Sequence, residues 1–426
     1  SLTPQTLARF ERRFGKKVAV FHSALSEGEK YDEYRRVARG EVNVIVGTRS
    51  AIFAPLKDIS YIIMDEEHSD SYKQENSPRY DTKMVALERC KYHKAKLVLG
   101  SATPTLESYA RALKGVYHLV NLKERVGGRC LPKVEFVDMN KALAKAKGHF
   151  SLELEETLRR DEQVILLLNR RGYSSVLSCK NCGYVMKCPN CDISLTYHKT
   201  NNMLRCHYCG YATNYPKVCP ECKEEALRDL GVGTEKIEEE VKSLFDNSKV
   251  LRMDVDTTSK KNAHQKIIES FGKGEANILI GTQMVAKGLD FPNVTLVGVL
   301  NTDTSLMIPD FRSSEATFDL LSQVAGRSGR AKEGLVVFQT YNKDHYAISC
   351  ASSHDYLTFY KEEMAIRKMM KYPPYYYLVL VKISGKDENN CLKEAVRCEK
   401  VLKKYLDKTI LLGPTKAMIF KKMNIY

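Results

Sequence analysis

Eight of the 13 cysteines in this chain fall in one short stretch as four Cys-x-x-Cys pairs. The pairs are Cys179/Cys182, Cys188/Cys191, Cys206/Cys209 and Cys219/Cys222. Two residues between thiols allow one turn of chain to aim both sulfurs at a single tetrahedral zinc ion. Four pairs supply two closed sites of four cysteines each, which build structure and leave no open coordination position for hydrolysis. Spacing alone permits several partitions of the pairs, and His198 or His207 in the same stretch could replace a thiolate.

A second group of reactive residues, Asp65-Glu66-Glu67-His68, follows the apolar run Ile62-Ile-Met. An apolar strand that ends in carboxylates has the form of a Walker B motif. Asp65 could hold the Mg²⁺ of a nucleotide, and Glu66 could polarise the attacking water. Taken alone, the four residues are equally well an acidic turn after a buried strand.

Polar residues also follow predicted strands further along the chain. Gly100-Ser101-Ala102-Thr103 could relay contacts between a nucleotide site and a second lobe. The segment Gly281-Thr282-Gln283-Met-Val-Ala-Lys287-Gly288-Leu-Asp290 offers hydroxyl, amide and ammonium donors for phosphate. In Gln323-Val-Ala-Gly-Arg327-Ser-Gly-Arg330, two arginines three positions apart would share a helix face and could reach a γ-phosphate as arginine fingers. A solvated helix end is the alternative interpretation of these arginines.

The elements that must position these residues alternate between helix and strand, which predicts an α/β fold. Short β-branched runs separated by amphipathic helices indicate parallel sheets covered on both faces, whose ligands gather at the carboxyl ends of the strands. Strands are expected at Val18–Phe21, Val42–Val46, Ile59–Met64, Lys96–Leu99, Val164–Leu168, Val250–Met253, Asn277–Gly281, Val294–Leu300 and Leu335–Gln339. The cysteine stretch interrupts the second run of strands. A strand at Tyr376–Ile383 and a helix at Glu388–Leu406 predict a small α+β domain after it.

Length and charge agree with this division. A chain of 426 residues is too long for one ordinary core. The expected parts are residues 1–125, a linker with the start of a second lobe at 126–177, the cysteine module at 178–224, the rest of that lobe at 225–345, and an incomplete domain at 346–426. A net charge of +15 favours a polyanionic partner. No apolar run is long enough to cross a membrane, and regular Cys-x-x-Cys pairs favour a reduced, intracellular protein over a disulfide-bonded one.

The order of these motifs resembles that of superfamily 2 helicases. With the cysteine module and the segment Tyr72-Lys73-Gln-Glu-Asn-Ser-Pro-Arg79-Tyr80, the chain is similar to the PriA family of primosomal replication-restart helicases from end to end. The resemblance implies two RecA-like lobes with the double-zinc module inserted in the second lobe. It also implies nested zinc ligands, the outer two pairs sharing one ion and the inner two pairs the other.

The resemblance further assigns roles to the polar residues. The implied nucleotide-binding residues, with ATP and Mg²⁺, are Asp65, Glu66, His68, Gln323, Arg327, Arg330, Gly288 and Asp290, of which Asp65, Glu66, Arg327 and Arg330 are catalytic. The implied DNA contacts are Tyr72, Lys73, Arg79 and Tyr80 in an aromatic-rich loop, together with Thr282, Gln283 and Lys287.

The implied function is ATP-dependent 3′→5′ unwinding of DNA at stalled replication forks, followed by primosome assembly. Its implied partners are forked and single-stranded DNA, single-stranded DNA-binding protein, and primosome proteins that load the replicative helicase, in the cytoplasm of a bacterium near the nucleoid. A non-enzymatic scaffold at forks, or another zinc-containing superfamily 2 motor acting on nucleic acid, is the alternative.

No Gly-x-x-x-x-Gly-Lys-Ser/Thr loop occurs in the sequence, although a two-lobe motor needs one to hold the β- and γ-phosphates. Gly231-Val-Gly233-Thr234 lacks the required ending. The chain is therefore expected to be an internal fragment without the family's N-terminal domains, and to hydrolyse ATP poorly or not at all by itself.

Overall fold

The computed structural model describes most of the chain. The described residues are 4–22, 25–122, 131–142, 150–158, 163–169, 177–179, 181–182, 184–191, 194–198, 203–206, 209–225, 227–229, 233–245, 248–254, 257–258, 263–286, 289, 291–308, 310–328, 334–406, 409–417 and 420–426. They form two compact units, one of Ser1–Arg170 with Glu238–Tyr377 and one of Arg171–Ile237 with Leu378–Tyr426. Within the described residues, no helix is both long enough and apolar enough to cross a membrane.

Helices and strands alternate along the chain, as the hydrophobic pattern predicts. The strands are β1 Val18–Phe21, β2 Val44–Gly47, β3 Tyr61–Asp65, β4 Lys73–Gln74, β5 Tyr80–Asp81, β6 Lys96–Gly100, β7 Lys133–Asp138, β8 Gln163–Leu168, β9 Leu177–Cys179, β10 Thr196–His198, β11 Met203–Arg205, β12 Ala212–Asn214, β13 Leu227–Asp229, β14 Val250–Met253, β15 Ile278–Gly281, β16 Val294–Leu300 and β17 Leu335–Thr340. The helices are α1 Pro4–Phe14, α2 Glu27–Ala38, α3 Thr82–His93, α4 Leu106–Leu113, α5 Met139–Ala142, α6 Leu152–Leu158, α7 Thr234–Leu244, α8 Ala263–Gly272, α9 Gln283–Ala286, α10 Ser313–Ala325, α11 Tyr346–Ser352, α12 Tyr356–Met369 and α13 Glu388–Tyr405.

The first lobe, residues 4–122, contains two parallel strand pairs, β1 with β2 and β3 with β6. Helix α2 begins at a capping box. The Ser26 hydroxyl accepts from the Glu29 amide at 3.3 Å, and the Glu29 carboxylate accepts from the Ser26 amide at 2.7 Å. In the second strand pair Asp65 lies opposite Gly100, so the residues that follow β3 and β6 emerge at the same edge.

The second lobe, the described part of residues 131–169 and 238–345, is built on a six-stranded parallel sheet in the order β14-β15-β8-β16-β17-β7. Strands β15 and β16 are buried along their whole length because helices cover both faces of the sheet. Gly281 ends β15 where a Cβ atom would lie 2.4 Å from a Val285 methyl and 2.8 Å from the Met253 carbonyl, so no larger residue fits before α9. The edge strand β7 was not predicted from the sequence.

Helix α4 of the first lobe packs into the core of the second. Leu106 at its first turn is fully buried in the same cluster as Phe318 and Phe359. The Tyr109 ring meets the rings of Tyr356 and Tyr360 edge-on, with centroids 5.2 and 4.8 Å apart. The two lobes therefore share one hydrophobic core at this point.

The second unit contains the cysteine stretch and the C-terminal segment. Strands β10, β11 and β12 form an antiparallel sheet, β9 pairs with β13, and Leu177, Leu195 and Leu204 pack among the cysteines. The expected helix forms as α13, with the Asp387 carboxylate accepting from the Asn390 amide at 2.7 Å. The strand predicted at Tyr376–Ile383 is wrong: this segment has no strand partner within the described residues, and Tyr377, Val379 and Leu380 are exposed.

Candidate nucleotide and zinc sites

The first candidate site lies where β3 and β6 end. Glu66 and His68 follow β3, and the His68 Nδ1 atom lies 2.7 Å from the Ser101 hydroxyl that follows β6. From the second lobe, the Gln323 amide nitrogen lies within hydrogen-bond distance of His68 Nε2 and 3.5 Å from Glu66 Oε2. Because Glu66 and Gln323 are 257 positions apart, the fold alone brings these motifs together.

Glu66 has a backbone conformation that non-glycine residues rarely adopt. Its φ is +53°, in the left-handed region. The Glu66 amide donates to the Asp65 carboxylate at 3.0 Å, and the Glu66 carbonyl accepts from the Ser69 amide at 2.8 Å. This turn leaves the Glu66 side chain 45% exposed, so its carboxylate remains accessible to a substrate. Strained backbone of this kind often occurs at functional residues.

Glu67, the third acid of the motif, has a structural role. Its carboxylate is buried and bonded to the Lys83 ammonium. It also accepts from the Thr105 amide at 2.7 Å and from the Ser108 hydroxyl at 3.1 Å. Glu67 therefore ties the end of β3 to α3 and α4, while Asp65 and Glu66 stay on the solvent side.

Helix α10 presents three acidic or amide side chains to the first lobe at intervals of four residues. We call Glu315, Asp319 and Gln323 the α10 stripe, since this spacing places them along one face of the helix. Gln323 contacts Glu66 and His68, and Glu315 accepts from the Leu106 amide at 3.2 Å. Desolvation, and then the neighbouring Glu315 charge, hold the pKa of Asp319 well above its ordinary value.

Arg367 on α12 holds the end of this stripe. It is completely buried, and its guanidinium donates to the Glu363 carboxylate at 2.8 Å and the Glu315 carboxylate at 2.7 Å. Burial raises the pKa of Glu315, and the Arg367 charge opposes that shift. None of the motifs in the sequence includes Arg367 or the acids around it. The available signal was the Glu363-x-x-x-Arg367 pair, whose spacing places opposite charges on one helix face.

The other predicted nucleotide ligands and DNA contacts follow α10 and β15, and some of them lie outside the described residues. The Arg327 guanidinium, just past α10, donates to the Leu289 carbonyl. Thr282 follows β15, and its carbonyl accepts from the Val285 amide at 3.1 Å; Gln283 begins α9. Lys287, Gly288, Asp290 and Arg330 lie outside the described residues.

The predicted DNA-binding loop, residues 72–80, forms a small hairpin of β4 and β5. Arg49 holds it, donating to the carbonyls of Ser71 at 3.2 Å and Lys73 at 2.9 Å. The Tyr80 ring packs edge-on against Phe53, with centroids 4.9 Å apart. Arg49 and Phe53, which precede β3 in the chain, therefore anchor the hairpin, and no sequence motif indicates these contacts.

The hairpin also contacts the candidate nucleotide site. The Tyr72 hydroxyl donates to the Asp65 carbonyl at 2.7 Å. Burial, and then the charges of Asp65 and Glu66, raise the pKa of Tyr72. Lys73 and Arg79 are exposed, and the Arg79 Nε donates to the Glu75 carbonyl at 3.0 Å. The two tyrosines thus anchor the hairpin, and the two cations remain available on its surface.

The eight cysteines form two clusters in the second unit. The outer cluster is Cys179, Cys182, Cys219 and Cys222, and the inner cluster is Cys188, Cys191, Cys206 and Cys209. Within each cluster all sulfurs lie within 4.8 Å of one another, and the pairs Cys179–Cys222, Cys182–Cys219 and Cys188–Cys209 are 3.6 Å apart. Zinc–sulfur bonds of about 2.3 Å in a tetrahedron require sulfurs about 3.8 Å apart, so both clusters fit zinc. His207 and the His198 side chain lie outside the described residues.

Backbone amides favour thiolate at one cysteine of each cluster. The Cys182 amide is the main cause that lowers the pKa of Cys179 to about 7, and the Tyr211 amide does the same for Cys209, whereas burial raises the pKa of Cys188 and Cys191. A thiolate is the form of cysteine that binds metal. The described cysteines form no disulfide.

Three parts of the chain match known protein families. Residues 1–112 match the DEAD/DEAH box helicase family, and residues 231–332 match the helicase conserved C-terminal domain. Residues 188–213 match the Cys-rich region (CRR) domain of the PriA DNA helicase.

Curated relatives match over the whole chain. Replication restart protein PriA of Bacillus subtilis (strain 168) is 54% identical over 436 residues, covering 100% of this chain and 54% of the relative. The proteins of that name from Synechocystis sp. and Chlamydia pneumoniae are 44% and 42% identical, covering 100% and 97% of this chain and 53% and 57% of their own lengths. The chain thus spans about half the length of the curated relatives it matches. At this identity and coverage, the chain belongs to the PriA family of replication restart proteins.

Proposed function

We propose that the full-length protein containing this chain is an ATP-dependent 3′→5′ DNA helicase. It recognises and remodels stalled replication forks and begins primosome assembly. The observation that carries the proposal is the contact of Gln323 in the second lobe with Glu66 and His68 in the first, at the ends of parallel strands. In this division of labour, residues 1–125 and 126–345 form the motor, residues 178–224 a zinc module inserted in it, and residues 346–426 a C-terminal domain.

The nucleotide site combines residues from both lobes. When bound, ATP with Mg²⁺ supplies a γ-phosphoryl group for transfer to water. Asp65 would hold the metal ion, and the exposed Glu66 carboxylate would accept a proton from the water. Gln323 connects that carboxylate and His68 to the second lobe by hydrogen bonds, and Ser101 holds the other nitrogen of the His68 ring. We assign Arg327 and Arg330 to the γ-phosphate, and Gly288 and Asp290 to the same cleft.

DNA would lie against the hairpin of residues 72–80 and the start of α9. The exposed cations Lys73 and Arg79 suit phosphates, and Thr282, Gln283 and Lys287 extend the same set of donors. The Tyr72–Asp65 hydrogen bond supports a link between this hairpin and the nucleotide site. The net charge of +15 favours polyanion binding.

The cysteine clusters are proposed to hold two structural zinc ions. Their sulfur separations support tetrahedral coordination, and four thiolates leave no position for a water nucleophile. Single-stranded DNA-binding protein and proteins that load the replicative helicase are the proposed protein partners. The proposed location is the bacterial cytoplasm, at replication forks in the nucleoid.

A Glu66→Gln variant of the full-length protein tests the catalytic assignment. Gln keeps the size of the side chain but cannot accept the proton of water, so kcat should fall at least about a hundredfold while nucleotide affinity stays within about threefold. The control is Glu88→Gln, an exposed acid on α3 that pairs with its helix neighbour Lys91. Retention of turnover in Glu66→Gln would remove Glu66 from the mechanism.

A non-enzymatic scaffold at forks is the second candidate, because the cysteine clusters and C-terminal segment form a compact unit of their own. The Glu66→Gln protein separates the two functions. If it still loads partner proteins onto forked DNA at the wild-type rate, scaffolding does not need the motor. If loading fails together with hydrolysis, the motor is required.

A further inference from the structure

The turn Lys422–Ile425 lies directly on the inner cysteine cluster. The Met423 amide donates to the Cys191 sulfur at 3.2 Å. The Asn424 amide donates to the carbonyl of Asn190, between the two ligands of that pair, at 2.8 Å. Just before the turn, the Lys421 ammonium donates to the Pro189 carbonyl at 3.3 Å. One short segment thus contacts the Cys188-Pro-Asn-Cys191 knuckle at three points, although 232 positions separate Met423 from Cys191.

The backbone of this turn is unusual for its sequence. The Lys422 and Ile425 main chains exchange hydrogen bonds of 2.8 and 3.0 Å, and Met423 and Asn424 have φ values of 52° and 59°. Two successive left-handed residues define a type I′ turn, which favours Asn and Gly. Asn424 suits its position, but Met423 does not. The Met423 side chain is 51% exposed, so its burial does not explain the conformation.

The left-handed backbone directs the amides of Met423 and Asn424 at the Cys188–Cys191 knuckle. A backbone N–H that donates to a metal-bound thiolate stabilises its charge and fixes the direction of its lone pairs. The turn is itself anchored near α13, because Tyr426 and Gly385 exchange backbone hydrogen bonds of 2.8 and 3.1 Å. The sequence pattern of the cysteine stretch contains no sign of this contact.

We propose that the turn Lys422–Ile425 is a clamp on the inner zinc site. The Met423 amide completes the hydrogen bonding of the Cys191 thiolate, the Asn424 amide fixes the loop between the two ligands, and together they slow release of the ion. The clamp couples the inner zinc site to the segment around α13. The inference rests on zinc occupancy of the inner cluster, which belongs to the proposed function.

The test compares two variants that both remove the exposed Met423 side chain. Met423→Gly keeps the amide and accepts a positive φ freely, whereas Met423→Val places a β-branched residue where it is strongly disfavoured. Zinc release from the chain into excess chelator is followed with a colorimetric zinc indicator. The expected result is that Met423→Val releases one of two zinc equivalents roughly ten- to a hundredfold faster. Met423→Gly should release both at the wild-type rate.

The outer cluster provides the internal reference. Equal acceleration of both equivalents would mean general loosening of the unit and would overturn the clamp, as would unchanged release from Met423→Val. A preparation that binds no zinc would instead refute the proposed cofactor. Hydrogen exchange of residues 420–426 gives a second readout, because binding linkage is reciprocal. Chelation of zinc should abolish protection of the Met423 amide, and persistent protection would also count against the clamp.

Discussion

At the scale of single residues, three adjacent acids take different roles because β3 ends among them. Asp65 closes the strand, Glu66 turns into the left-handed region, and Glu67 turns back into the protein to meet Lys83. The sequence could predict that carboxylates cluster here, since the apolar run before them predicts a strand end. It could not predict which carboxylate is buried, because the partners of Glu67 come from α3 and α4.

The Glu67 network makes a stability prediction. Glu67→Gln removes the charge opposite the largely buried Lys83 ammonium and should cost about 2 to 3 kcal/mol. Glu66→Gln is the matched control, since that side chain is 45% exposed, and it should change stability by less than about 0.5 kcal/mol. Urea denaturation followed by circular dichroism measures both. Equal midpoints for the two variants would contradict the structural role of Glu67.

At the scale of elements, the hydrophobic pattern predicts most helices and strands well, and its failures have physical causes. Strand β7 is an edge strand whose alternating sequence Lys-Val-Glu-Phe-Val-Asp is a usable signal, although no strand is predicted at this place within the segment 126–177, the expected linker and start of the second lobe. The run Tyr376–Ile383 has strong β propensity, but a strand forms only where a partner strand pairs with it. The α10 stripe could be placed on one helix face from spacing, but its targets in the first lobe depend on tertiary packing.

The buried Arg367 cluster makes a prediction at this scale. Arg367→Met leaves Glu315 and Glu363 buried without their counterion, and should destabilise the first unit by about 3 to 5 kcal/mol. Arg397→Met on α13 is the control, because Arg397 and its partner Glu394 are 76% and 54% exposed, and it should change little. Thermal melting distinguishes them. A similar small shift for both variants would show that the Arg367 cluster contributes no net stability.

At the scale of the whole molecule, the sequence predicts which kinds of site are present but not the contacts between distant residues that connect them. Spacing shows four cysteine pairs suited to zinc but leaves their partition open, whereas the family resemblance implies the nested partition, and the folded chain groups the sulfurs into the same two sets of four. Similarly, motif order suggests a nucleotide site between lobes, and the structure adds Arg49 as an anchor of the hairpin beside it. The local sequence pattern does not show which residues that are far apart in the chain lie close together in the fold.

The excess positive charge gives a prediction for the molecule as a whole. DNA affinity should fall steeply with salt because phosphate contacts release counterions. Lys73→Gln and Arg79→Gln should each weaken binding and reduce the slope of log affinity against log salt by about 1. Lys91→Gln, an exposed lysine on α3, removes the same charge away from the hairpin. Fluorescence anisotropy with forked DNA measures the slopes, and equal slopes for all three variants would place DNA elsewhere.

The α10 stripe has a mechanical consequence. Glu315 bonds to the Leu106 amide near one end of a single uninterrupted helix, and Gln323 touches Glu66 and His68 near the other. A stiff helix can release one of these contacts by tilting about the other, and full separation of the lobes must break both. If the cleft opens first at Glu66, the Glu315–Leu106 contact is the pivot about which α10 tilts.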